Sequence, residues 1–197
     1  MAAPAHPPFD PLVDLAGMWT TDLAERYLPI DGVPPAKYEC VDGRLILSPY
    51  EAGPNTYAAA ELRDIVKPAA RKAGLRVYTT LNVRFGAQRW IQPDFAVVRS
   101  PVEGVWVDVE DVVLVGEFVS PTSRRRDRID KPALCASEGV EYYLFGEADL
   151  RRRFASLRLS ALRDGVYQVV ADARSGERFE VDDPFEISLD PTELLDL

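Results

Sequence analysis

Apolar positions along this chain recur with two periods, and the switches between them mark out the elements. From Val112 to Val119 the run Val-Val-Leu-Val-Gly-Glu-Phe-Val is almost wholly apolar and is bounded by charged and turn-forming residues, the pattern of a buried β-strand. Arg76–Leu81, Asp94–Val98 and Glu141–Phe145 read as further strands. From Asn55 to Ala73 the period lengthens: Ala58, Leu62, Ile65 and Val66 recur at helical spacing, Pro68 is expected to kink or shorten the helix, and Gly74 closes it. Thr20 or Thr21 caps an earlier helix that carries Asp22 and Glu25 in its first turn, runs to about Tyr27 and ends at Pro29. Asp42-Gly43 joins strands over 36–41 and 44–47, and Asp164-Gly165 joins the alternating Leu157, Leu159, Ala161 to a strand over 166–170. A helix follows the arginines near 124–128 and reaches about Glu138, where Gly139 ends it. Phe179–Ile187 gives one or two short strands and Pro191–Leu195 a helical turn. No internal repeat is present. The expected class is α+β, a mixed sheet with a long helix before the central strands and another after them.

Glu117 breaks the apolar run, and that placement changes the picture from fold to chemistry. Burying a lone carboxylate costs several kcal/mol in practice, so a mid-strand Glu needs a partner, a proton or a metal. Upstream, Gln92-Pro-Asp-Phe-Ala-Val-Val98 sets Asp94 at the mouth of a second apolar strand. Two carboxylates on neighbouring strands make a hard-cation site of the Mg²⁺ type.

Composition removes several alternatives. A chain of 197 residues with a 47% hydrophobic fraction suits one folded domain, expected over 18–197, behind a disordered Pro- and Ala-rich tail at 1–17. No stretch approaches the roughly 18 apolar residues of a membrane span, and the N-terminus lacks a secretory pattern. Cytoplasmic is the expected location. The cysteines, Cys40 and Cys135, are far apart and in no Cys-x-x-Cys spacing, which argues against a disulfide framework or a zinc site. The only histidine, His6, lies in the tail, which excludes Ser-His-Asp and Cys-His catalysis. Net charge is −9, from 23 Lys and Arg against 32 Asp and Glu, which opposes non-specific nucleic-acid binding. The clusters Arg124-Arg-Arg-Asp-Arg128 and Arg151-Arg-Arg153 keep such binding open.

Five motifs in order carry a resemblance: Tyr38-Glu-Cys-Val-Asp-Gly-Arg-Leu-Ile-Leu-Ser-Pro49, Pro93-Asp94, Gly116-Glu-Phe-Val-Ser-Pro-Thr-Ser123, Asp127 with Lys131, and Gly139-Val-Glu-Tyr-Tyr143. Over roughly residues 18 to 190 the chain resembles the Uma-two family of restriction endonuclease-like proteins. The resemblance implies the PD-(D/E)XK nuclease fold, a mixed β-sheet flanked by helices, with Asp94 and Glu117 binding Mg²⁺ or Mn²⁺. It also implies DNA as substrate and hydrolysis of its phosphodiester bonds. The usual lysine two residues after the Glu is replaced by Val119, and the resemblance transfers that role to Lys131 on the following helix. Cys135 stands where relatives usually carry Tyr, and Asn55 where many carry His. Pro132, next to Lys131, suits the first turn of a helix and not its interior.

On this reading Lys131 orients or activates the attacking water or steadies the phosphate as charge builds, and backbone oxygens near Phe118 complete the ligand set. Glu39, in the strand Tyr38-Glu-Cys-Val41, is a third acid that could hold a second metal or its water. Each residue also has a structural alternative. Asp94 could cap a turn after Pro93, Glu117 could pair with Arg84 or Arg99, and Lys131 could be a solvated lysine or a helical partner of Asp127. The arginines Arg124, Arg125, Arg126 and Arg128 either grip phosphates or are solvated. Trp19, Trp90 and Trp106 read as core or edge aromatics, with the exposed-looking Arg89-Trp90 pair the one candidate for stacking on a base. The rival functional reading is a catalytically inactive nuclease-fold module for binding or regulation. A third is a metal-dependent hydrolase of another phosphate or ester. A homodimer suits an enzyme that cuts both strands, although no apolar seam marks an interface.

Overall fold

Asp42 and Gly43 both take positive φ, 50° and 77°, in the computed structural model, and turn strand β1 (Lys37–Val41) into β2 (Arg44–Ser48). Glycine is required at the second position for space as well as conformation, since a Cβ on Gly43 would stand 2.5 Å from the Gly17 carbonyl oxygen. The structure describes residues 9–50, 52–119 and 129–196. The arginines Arg124, Arg125, Arg126 and Arg128, together with Asp127 and His6, lie outside the described residues.

The chain packs as two compact units, Met1–Tyr50 with Arg84–Ile91, and Glu51–Val83 with Gln92–Leu197. Because each unit is drawn from two separate stretches of chain, we keep one domain over 18–197 as a proposal. In the first unit, α1 (Pro11–Asp14) is capped by Asp10, whose carboxylate accepts from the Leu12 N–H at 2.9 Å. This helical turn lies in the stretch expected as a tail, and an Asp cap and a Pro at the first helical position favour it locally. Helix α2 (Thr21–Tyr27) is capped by Thr20 as expected. Cys40 of β1 pairs with Trp90, and the Trp90 indole N–H donates to the Tyr38 carbonyl at 2.8 Å. Trp19, Cys40 and Trp90 are buried, so Trp90 is no exposed stacking platform, and Arg89 turns outward to pair with Asp42.

The second unit is built on a six-stranded sheet. Its strands are β3 (Arg76–Tyr78), β6 (Phe95–Val98), β8 (Val112–Phe118), β9 (Tyr142–Asp149), β10 (Phe154–Arg163) and β11 (Val166–Arg174). Their spatial order is β11-β10-β9-β8-β6-β3, and only β8 and β9 run parallel. A parallel pair needs a crossover, and α4 (Lys131–Ser137) lies in that connection. Helix α3 (Gly53–Lys72) buries Ala58, Leu62, Val66 and Ala70, a stripe at every fourth residue, in a core with Val97, Leu114, Phe118, Leu144 and Leu157. The small hairpin β12 (Phe179–Val181) and β13 (Ile187–Leu189) adds Phe179 and Leu189 to the same core. Pro191–Leu194 closes the chain with a short helical turn.

Several boundaries depart from the sequence reading. Helix α3 continues through Pro68 rather than stopping there, because Pro68 lies on the exposed face, where water can satisfy the carbonyl one turn back. Strand β3 ends at Tyr78, three residues short of expectation. The strands β4 (Asn82–Arg84), β5 (Trp90–Ile91) and β7 (Trp106–Asp108) were not anticipated, being too short for a period to register.

Gly146 on β9 faces the Phe118 ring, and a Cβ there would stand 2.4 Å from a ring carbon. Gly146→Ala is expected to destabilise the protein by about 1–3 kcal/mol through overpacking. Urea denaturation measures it, and an unchanged midpoint would remove Gly146 from this packing account.

Candidate functional site

The strand pairing between β6 and β8 brings the two predicted carboxylates together. Phe95 lies opposite Gly116, and the antiparallel register carried one residue further sets Asp94 level with Glu117 on the same face of the sheet. Both are buried, with Asp94 7% and Glu117 3% exposed. Alternation along β8 sends Leu114 and Phe118 towards α3 and the core, and Glu117 to the opposite face.

Lys131 comes to that opposite face from the first residue of α4. Its Nζ lies 2.7 Å from Glu117 Oε1, and the two side chains are 5% and 4% exposed. Starting the helix at Lys131 places Pro132 in the first turn, where its missing N–H is harmless. Glu117 thus has a cationic partner in Lys131. Arg99 pairs with Glu141. One turn past Lys131, Cys135 is fully buried, and burial, helped by the Glu117 charge, pushes its thiol well above the ordinary range.

Asp94 does more than begin a strand. Its Oδ2 accepts from the Phe118 N–H at 2.8 Å, which ties the two strands together beside Glu117. From the other side of the sheet, the Asn55 side-chain amide donates to the Phe118 carbonyl at 3.0 Å. The peptide groups that flank Phe118 are therefore held from both directions. In the stretch whose backbone oxygens were expected to serve a metal, the Phe118 carbonyl is an acceptor for Asn55. Asn55 was named in the sequence reading only as a departure from the family pattern. Its signal was its position: it heads the stripe Asn55, Ala58, Leu62, Val66, a polar residue at a core-facing place near the helix start.

The Asp94 and Glu117 carboxylates are hard oxygen donors, which fits a divalent cation of the Mg²⁺ type. Among the described residues no three His, Cys, Asp or Glu side chains gather into a metal cluster. A cation here would rest on Asp94 and Glu117 and take its other ligands from water or substrate. Glu39 is buried on β1, in the first unit.

A mixed sheet flanked by helices, with an Asp, a Glu and a Lys at the ends of its central elements, defines a restriction-endonuclease-like α+β protein. The sequence model of Uma2, described as "Putative restriction endonuclease", matches residues 24–192, and the chain belongs to that family. The fold is similar to the crystal structure of "a putative nuclease belonging to DUF820" from Anabaena variabilis, with a TM-score of 0.59 at 14% identity, covering 80% of this chain and 88% of that one. No curated protein matches the chain.

Lys131→Met leaves a buried carboxylate without its ammonium and is expected to cost about 3–5 kcal/mol of stability, whereas Lys131→Met combined with Glu117→Leu regains most of it. Urea denaturation of wild type, single and double variants checks this. A double-variant loss equal to the sum of the Lys131→Met and Glu117→Leu losses would mean that the pair is not coupled.

Proposed function

We propose that this protein is a Mg²⁺- or Mn²⁺-dependent endonuclease that hydrolyses DNA phosphodiester bonds. The observation that carries the reading is the convergence on one sheet face of Glu117, Asp94 and the buried Lys131 ammonium. In this reading Asp94 and Glu117 hold the cation. The cation, when bound, polarises the phosphate and makes an attacking water more acidic. Lys131 orients that water, donates to the phosphate oxygens and offsets the charge that builds as the P–O bond to the leaving sugar breaks. Asp94, through the Phe118 N–H, and Asn55, through the Phe118 carbonyl, keep the backbone next to Glu117 from shifting. Glu39 is assigned a supporting role, and the expected cytoplasmic location and homodimer belong to the same proposal.

The rival reading is a module that keeps the nuclease fold without catalysis. It is favoured by the 2.7 Å ion pair, in which Lys131 occupies a Glu117 oxygen that a cation would take, and by the net charge of −9.

Calorimetric titration of Mn²⁺ into wild type and the near-isosteric Glu117→Gln, with plasmid nicking by the same preparations, separates the two. The nuclease reading expects Mn²⁺ binding that the substitution abolishes and nicking reduced by at least about 100-fold. Nicking that survives in folded Glu117→Gln would sink the site assignment. Absence of both binding and nicking in wild type would leave the inactive module.

A further inference from the structure

The register of the sheet lays out two rows of side chains that lead away from the site. Phe145 on β9 is the parallel neighbour of Glu117, Arg158 on β10 lies opposite Phe145, and Asp172 on β11 lies opposite Arg158. In the next row Ser156 lies opposite Glu147 and also opposite Arg174. Together with Val119 and Phe154 these residues line a pocket of about 310 Å³ that begins one strand from Glu117. At roughly 4.8 Å between strands, Arg174 stands about 14 Å from β8, within reach of the nucleotides next to a phosphate held at Glu117.

Among the described residues the walls carry two arginines and two carboxylates, and the selectivity lies in how they are arranged. Asp172 Oδ2 accepts from Arg158 Nε at 2.8 Å and Nη2 at 2.6 Å, which pins that guanidinium across the strand pair and neutralises it. Arg174 is exposed, and its guanidinium makes no ion pair among the described residues. Phe145 is half-buried and braced against the Tyr143 ring at 4.9 Å between centroids. The pocket therefore combines a fixed aromatic ring, a fixed guanidinium plane and one cation open to a partner. That combination suits a planar base that carries a phosphate.

We propose that this pocket receives one unpaired DNA nucleotide next to the scissile phosphate, with its base against Phe145 and Arg158 and its phosphate at Arg174. The inference rests on the nuclease reading and narrows its substrate. A base within a duplex has both faces covered by stacked neighbours, so occupancy requires a single-stranded or frayed segment.

The test is fluorescence anisotropy with a fluorescein-labelled oligodeoxythymidine strand, and the same strand annealed, in EDTA so that nothing is cut. Wild type is expected to bind the single strand more tightly than the duplex. Arg174→Ala and Phe145→Ala should each weaken single-strand binding roughly ten-fold. Only Arg174→Ala should also make the salt dependence shallower by nearly one phosphate contact. Phe145→Leu, which keeps the packing volume without the flat ring, guards against simple unfolding and should weaken binding as the Ala variant does. Arg71→Ala, at the opposite end of α3 from Asn55, is the control and should change nothing. Plasmid nicking by wild type reports the nuclease reading independently. Nicking without single-strand binding, binding that the pocket variants leave within about two-fold, or equal affinity for duplex overturns the pocket alone. Neither binding nor nicking overturns both.

Discussion

Glu117 is the residue around which the rest of the site is arranged, because an unpaired carboxylate within a buried strand is too costly to keep. Lys131 meets that requirement with a contact at 2.7 Å. To do so, α4 must begin over the face of the sheet opposite the core, and its next turn buries Cys135. Topology makes this possible. The only parallel pair in the six-stranded sheet is β8 with β9, and the crossover that such a pair demands is where the lysine enters. The departure from the Glu-x-Lys spacing usual in the PD-(D/E)XK fold is thus accommodated by the connection the sheet already needs.

Core packing and the candidate site share one strand. Along β8, Leu114 and Phe118 point into the hydrophobic core under α3, while Glu117 points the other way. A slip of one residue would exchange these sets, so the packing of Phe118 against Gly146 and under Asn55 also fixes where Glu117 points. Asp94 adds a second lock from β6 through the Phe118 N–H. That bond to the backbone gives the buried Asp94 carboxylate a structural reason for its place. The site is rigid because its neighbours are core residues on regular elements, which is the condition under which a few side chains can hold a cation and a phosphate in register.

The electrostatic balance is local. The chain as a whole is acidic at −9, yet the rows running from Glu117 across β9, β10 and β11 alternate aromatic, cationic and anionic groups. Long-range attraction of a polyanion is therefore weak, and any grip on nucleic acid must come from short-range geometry.

How much of this was legible beforehand follows from the range of each interaction. The turns at Asp42-Gly43 and Asp164-Gly165, the stripe on α3, the cap at Thr20 and the apolar run with its misplaced Glu117 are set by residues close together in the chain, so the sequence by itself determined them. It also singled out Asp94, since a charged residue at the mouth of an apolar strand stands out locally. The strands at Asn82, Trp90 and Trp106 were invisible because two or three residues carry no period, and Pro68 misled because its harmlessness depends on which face is wet. The pairing of Lys131 with Glu117, the clamp from Asp94 and the support from Asn55 span 14, 24 and 63 residues of chain. Only the tertiary structure decided them, because sequence patterns report which side chains must be buried or paired, while strand order and helix placement select the partner that arrives.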